Sequence, residues 1–339
     1  MEIFYAPSHL LHDPGKALVN GQPLLTEDDP ERIEVLRRAV QEAGLGPILP
    51  PEDHGREPLL AVHDRDYLEF FAHAYARGEE YYGKPGPIFP ETYAVRGLRR
   101  TRHFAGQVGY YSFGTATPIL EGTWEAAYWS AQCALSAAAR LRSGERCAYA
   151  LCRPPGHHAS TDLYGGFCFL NNAAVAARFL GGRLAILDID YHHGNGTQEI
   201  FYSDPQVLYC SLHADPDEDY PYFWGSASET GAGAGAGANC NFPLPRGAGD
   251  DLYLSTLDRA LERLDAHRPE RLVLSLGLDA AAGDPAGGFC LSPQVFRRIG
   301  ERLASLNLPT LFVQEGGYGL DSLGENCLSF FSGFFERLD

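Results

Sequence analysis

The 339-residue sequence predicts an α/β protein in which helices cover both faces of a largely parallel sheet. Three observations predict it. Five short, almost continuous apolar runs lie at residues 147–151, 183–189, 206–212, 271–277 and 310–314. Segments of helical spacing at 171–180, 250–267 and 292–306 separate most of them. Four of the runs lead into polar, chemically competent residues, and ligands of a parallel sheet bind beyond the carboxyl ends of its strands.

The elements follow in order. Residues 3–6 read as a short first strand and 9–30 as a polar loop punctuated by Pro and Gly. Residues 31–43 read as a helix, with Ile33, Leu36, Ala39 and Val40 on one face and Gly44 as its stop. A second helix spans 64–77, with Tyr67, Phe70, Phe71 and Ala74 inward and His63 and His73 as structural or surface residues. Residues 78–123 are rich in Tyr, Gly, Pro and Arg and lack periodicity, and so long a segment is expected to be functional or an interface. A long helix over 124–142 then precedes the alternating strands and helices.

No Pro/Ser-rich linker divides the chain, so one domain over 1–339 is expected. Its apolar runs fall short of the roughly 20 residues of a membrane span, and Met1 to Tyr5 lacks the pattern of a leader. With eight cysteines and no Cys-x-x-Cys pair, free thiols in a cytoplasmic protein are expected. A net charge of −17 argues against nucleic acid and favours a cationic substrate.

The residues after the strands carry the chemistry. Arg153-Pro154-Pro155-Gly156-His157-His158 follows the first run, Asp190 and His192 another, Asp279 the fourth, and Glu315-Gly316-Gly317-Tyr318-Gly319 the fifth. On an extended strand Asp188, Asp190 and His192 share one face. Carboxylate and imidazole at that spacing suit a borderline divalent cation, so Asp190, His192 and Asp279 are the expected metal ligands, leaving one position open. His157 and His158 can take a proton from water and return it to a leaving amine, and Tyr318 can donate to an oxyanion. Asp188 is placed to orient or charge one of the tandem histidines, and Asn195 to accept a hydrogen bond from the other. Together these residues describe amide hydrolysis. His193, His213 and Asn172 read as packing or capping residues, the glycine-alanine stretch 231–237 as a loop near the site, and Glu229 and Glu315 have no assigned role.

Five motifs, Arg153-Pro-Pro-Gly-His-His-Ala159, Gly165-Gly-Phe-Cys-Phe-Leu-Asn-Asn172, Leu187-Asp-Ile-Asp-Tyr-His-His-Gly-Asn-Gly-Thr197, Ser275-Leu-Gly-Leu-Asp279 and Glu315-Gly-Gly-Tyr318, resemble the zinc-dependent histone deacetylase family. Through Gly106-Gln-Val-Gly-Tyr-Tyr111 and Gly122-Thr-Trp-Glu-Ala-Ala127 the chain is similar to that family's bacterial acetylpolyamine amidohydrolases. The resemblance implies an arginase/deacetylase-like fold with an eight-stranded sheet, one zinc, His158 as general base and acid, and an electrostatic role for His157. It implies a tunnel walled by Phe167 and Phe223 over Gly166, and a structural potassium ion at Asp188, Asp190, His192, Ser211 and Leu212. It also implies a homodimer paired through residues 78–103, which narrow the entrance.

One departure bears on the substrate. Where the polyamine enzymes carry rim glutamates this chain has Ala17, Ala105 and Ala116, and Ala286 stands at the position of an acidic gatekeeper. Asp13, Glu121 or Asp219 could supply the missing charge. The expected activity is removal of acetyl or another small acyl group from polyamines or similar amines, with acyl-lysine peptides as the alternative. A two-manganese ureohydrolase would need further Asp ligands, and a non-catalytic acyl-amine sensor would not need Tyr318 and both histidines.

Overall fold

The computed structural model describes residues 1–19, 21–95 and 98–337; residues 96 and 97, within the 78–123 segment, and 20, 338 and 339 lie outside them. The strands are β1 (Glu2–Phe4), β2 (Lys16–Val19), β3 (Gln22–Leu25), β4 (Ile48–Leu49), β5 (Cys147–Ala150), β6 (Leu184–Asp188), β7 (Val207–Ala214), β8 (Asn239–Leu244), β9 (Arg271–Leu276) and β10 (Thr310–Gln314). The helices are α1 (Glu31–Glu42), α2 (Glu57–Leu60), α3 (Arg65–Tyr82), α4 (Phe104–Tyr110), α5 (Thr123–Arg142), α6 (Asn172–Leu180), α7 (Asn195–Phe201), α8 (Asp250–His267), α9 (Pro293–Ser305) and α10 (Leu320–Glu336).

Eight strands make one sheet in the order β4-β1-β5-β10-β9-β6-β7-β8, and every neighbouring pair is parallel. Apolar side chains are buried on both faces, which is why the strands read as continuous runs. Ala148, Ala150, Ile186, Leu311 and Val313 pack with α3, α5 and α6 on one side. Tyr149, Ala185, Leu187, Leu274 and Phe312 pack with α1, α8, α9 and α10 on the other. The four strands whose ends carry the chemistry, β5, β10, β9 and β6, are consecutive in the sheet. Their carboxyl ends therefore meet.

Several elements differ from expectation. The loop expected over 9–30 contains the antiparallel hairpin β2–β3. Helix α3 runs past Arg77 to Tyr82 and stops at Gly83, whose left-handed φ of 66° ends it. The 78–123 segment further contains α4 and a bridge between Ile88 and Ile119. Helices α7 and α10 and strands β4 and β8 had no sequence counterpart. Asn171, not Asn172, caps α6, accepting from the Ala174 N–H at 2.9 Å.

Candidate active site

Strand β6 ends at Asp188, so Asp190 and His192 stand on irregular chain beyond it rather than on a continued strand. The bend brings them to Asp279, beyond β9. One donor atom from each of Asp190, His192 and Asp279 lies within 4.8 Å of the others. His192 Nδ1 is 3.1 Å from Asp279 Oδ2 and 3.3 Å from Asp190 Oδ1. The second oxygens are held from behind, Asp190 Oδ2 by the Gly316 N–H at 2.7 Å and Asp279 Oδ1 by the Tyr191 N–H at 2.8 Å. A Cβ on Gly316 would lie 2.4 Å from Asp279 Oδ2 and 2.6 Å from Asp190 Oδ2, so only glycine approaches this closely.

Two fully buried carboxylates sharing one ring nitrogen leave negative charge unmet in a low dielectric. Burial, and then the charge of Asp190, push the Asp279 carboxyl up to about 7. Burial works against the charged His192 ring, yet its hydrogen bonds to Asp190 and Asp279 hold it up at about 10. A divalent cation in place of that proton relieves the same repulsion, and two oxygens with one imidazole nitrogen are a donor set zinc accepts. The residues fit such an ion.

The tandem histidines lie beside this cluster with ring centroids 4.1 Å apart. His157 Nδ1 is 3.1 Å from Asp188 Oδ2, which also accepts from Tyr209 Oη at 3.0 Å. Burial opposes charge on His157, but Asp190 and Asp188 outweigh it and hold the ring at about 10. His158 Nδ1 is 2.8 Å from Asn195 Oδ1, an atom that can only accept, so Nδ1 carries the proton and Nε2 is a free base. Burial first, then the neighbouring His157 and His192, depress His158 well below the ordinary imidazole value.

Tyr318 is held by residues whose part in the site had no sequence signal. Asp284 accepts the Tyr318 and Gly319 N–H groups at 2.7 and 2.9 Å. Arg32, fully buried on α1, donates to the carbonyls of Gly317 and Glu315 at 2.5 and 2.7 Å, and its guanidinium lies 4.2 Å from the Tyr318 ring centroid. Burial raises the Tyr318 phenol well above its usual value, so it keeps its proton to donate. Asp28 accepts from Arg32 at 2.5 Å and Arg153 at 3.2 Å, joining the Gly-Gly-Tyr loop to the tandem-histidine loop. Glu315 clamps the same junction, accepting from the Gly156 and His157 N–H groups at 2.6 and 3.1 Å. With His157 and Cys168 it forms a second close group of potential ligands, already engaged in this clamp. Glu229 likewise secures the 225–241 region through Gln198 and the Gly225 N–H.

A cavity of about 420 Å³ opens above the cluster, lined by His158, Gly166, Phe167, His192, Tyr220, Tyr222 and Tyr318, with Leu18, Val19, Glu27, Ala116 and Ala286 among its other walls. A Cβ on Gly166 would come 2.4 Å from His158 Cδ2, so glycine there keeps the floor open. Phe167 takes a φ of 67° with its N–H bonded to Thr117 Oγ1, and its ring meets Tyr318 edge-on at 5.8 Å. Phe223, expected as the second wall, does not line the cavity. Its N–H closes a tight turn onto the Pro221 carbonyl and its side chain is 82% exposed, while Tyr220 and Tyr222 take that side. Ala116 lines the mouth, whereas Ala17 and Ala105 are buried outside it. Asp13, Glu121 and Asp219 are not in the lining, and Asp219 is bonded to Tyr191 and Arg246. A groove of about 490 Å³ along α3 and α4 is lined by Arg77, Arg100 and Arg102, but Arg100 is bound to Asp64 and Asp66, and among the described residues no metal-type cluster lies there.

The chain matches the histone deacetylase domain over residues 26–334. It is 47% identical over 338 residues to acetylpolyamine amidohydrolase 1 of Pseudomonas aeruginosa, covering 97% of each chain. It is 40% identical to the acetylpolyamine amidohydrolase of Mycoplana ramosa, over 98% of this chain and 99% of that one. The crystal structure of acetylpolyamine aminohydrolase from Burkholderia pseudomallei superposes with a TM-score of 0.95 at 42% identity, covering 98% of each chain. With the sheet, the motifs and nearly the whole length in agreement, the chain belongs to the histone deacetylase family.

Proposed function

We propose that this chain is a zinc-dependent amidohydrolase that removes an acetyl or other small acyl group from a polyamine or similar aliphatic amine. The observation that carries this reading is that His192 of the Asp190, His192 and Asp279 cluster lines one cavity together with His158 and Tyr318. The relatives named above are acetylpolyamine amidohydrolases, which supports the amine class.

Asp190, His192 and Asp279 would hold the ion, which when bound polarises the scissile carbonyl and acidifies water. His158 takes the water's proton at Nε2 and later delivers it to the leaving amine. Tyr318 donates its hydroxyl to the oxygen that gains charge. His157, charged and fixed by Asp188, keeps His158 from being protonated in the resting site. The products are a carboxylate and a free amine. Chelation should reduce hydrolysis of acetylputrescine, acetylspermidine and acetylcadaverine to background, with one zinc per chain restoring it. Zinc-loaded protein that cleaves none of these, nor acetyl-lysine peptides, would exclude the reading.

Asn195→Asp tests the proton path. A carboxylate at that position stabilises the imidazolium of His158, so the acidic limb of the kcat/KM profile, where the base becomes protonated, should move to higher pH by about one unit or more. An unmoved limb would exclude Asn195 as the tuning partner.

The finer features belong to the same reading. A potassium ion would sit by Asp188, Asp190, His192, Ser211 and Leu212, where β6 and β7 place Ser211 beside Asp188. A homodimer through residues 78–103 would cover Tyr81, Val95 and Leu98, which are 46%, 59% and 58% exposed. The chain would act in the cytoplasm as one catalytic domain over 1–339. Among the described residues no helix is long and apolar enough to cross a membrane.

A further inference from the structure

The cavity has a charged mouth that none of the expected rim positions supplies. Among the described residues lining it, Glu27 is the one carboxylic acid, and no lysine or arginine lines it. Much of the rest of the lining is aromatic or aliphatic, with Leu18, Val19, Phe167, Tyr220 and Tyr222 among it. Such a passage accepts a methylene chain and offers its far end a single anionic partner.

Glu27 is exposed, but its place is fixed from behind. The next residue, Asp28, is fully buried, with its carboxylate bound by Arg32 and Arg153 and its carbonyl accepting from Arg153 at 2.7 Å. The Asp29 N–H closes a turn onto the Glu27 carbonyl at 2.8 Å. Across the mouth, the Thr115 hydroxyl donates to the Leu18 carbonyl at 2.6 Å and ties the β2–β3 hairpin to the segment bearing Ala116. The backbone carrying this carboxylate is already fixed, so binding a cation need order only the Glu27 side chain.

We propose that Glu27 binds the distal ammonium of an acylated diamine whose amide end lies at the Asp190, His192 and Asp279 cluster, making it the specificity-determining residue at the rim. This rests on the amidohydrolase reading above. An amide with an uncharged tail gains nothing from Glu27, and an acyl-lysine within a peptide presents neutral backbone there. The contact is distant from the reacting bond and equal in ground and transition states, so it acts on KM rather than kcat.

The test compares wild-type and Glu27→Gln protein on N-acetylcadaverine and on N-pentylacetamide, which has the same chain without the ammonium. Calorimetric binding of cadaverine, which cannot react, is measured in parallel. The substitution should raise KM for the charged amide about fivefold, leave its kcat within about twofold, and weaken cadaverine binding by about the same factor of five. Turnover of the uncharged amide should not change. Equal losses on both amides, or unchanged cadaverine binding, overturn the assignment. Absence of turnover with Glu27-dependent cadaverine binding would leave this assignment standing and remove the hydrolytic reading.

Discussion

Tyr318→Phe is expected to lower kcat on an acetylated amine by about 10²- to 10³-fold while changing KM little, because an oxyanion donor acts on charge that develops only in the transition state. The substitution removes one oxygen and keeps the ring, so the edge contact with Phe167 and the stacking under Arg32 persist. The backbone of residue 318 stays fixed by Asp284. Steady-state kinetics on zinc-loaded protein read the result. A loss confined to KM, or a fall in kcat below about tenfold, would show that Tyr318 does not carry the oxyanion.

The second large effect is on stability. Asp28→Ala leaves Arg32 and Arg153, both fully buried, without their shared carboxylate. Breaking a buried ion pair by removing one partner costs about 3–5 kcal/mol, well above an ordinary surface substitution. Urea denaturation at neutral pH should show that loss, and a change under about 1 kcal/mol would mean that the surrounding carbonyls suffice. The linkage has a definite sign. Burial opposes the Asp28 charge, but Arg153 and Arg32 overcome it and hold its carboxyl below the usual range. Its contribution is therefore present above the unfolded pKa of about 3.9 and is lost as pH falls through the lower folded value.

What could be read in the sequence follows from where the information resides. Strands β6, β9 and β10 are covered on both faces, so their burial is written as unbroken apolar runs. Strand β8, Asn-Cys-Asn-Phe-Pro-Leu, lies at the sheet edge with polar and half-buried positions and a proline, and carries no such pattern. Helix α10 contains Gly324 and Gly333, and Gly333 allows the Arg297 carbonyl of α9 within 2.0 Å of where a Cβ would stand. Its packing depends on residues that helix propensity penalises.

The site divides in the same way. Asp190, His192, Asp279, His157, His158 and Tyr318 are legible because each follows a recognisable strand and has a reactive side chain. Arg32, Asp28 and Asp284 sit in segments with no chemical motif and matter through contacts distant in sequence. Phe223 was expected as a tunnel wall from the family resemblance, but its N–H turns back onto the Pro221 carbonyl and its side chain is exposed. Glu27 was passed over because nothing local distinguishes it from the acids around it.

The Arg32 bridge also bears on how the enzyme comes into being. Arg32 reaches the Gly317 and Glu315 carbonyls, 285 and 283 residues away along the chain, and β10 occupies the slot between β5 and β9, both made earlier. Contacts of such separation form late, after the entropy of closing the intervening chain has been met. A nascent polypeptide holds Asp190, His192 and Asp279, the proposed metal ligands, once residue 279 has emerged, but its central sheet is still open and Tyr318, the proposed oxyanion donor, has not yet been made. Hydrolytic competence thus waits for residues 310–319, in the same event that closes the central sheet.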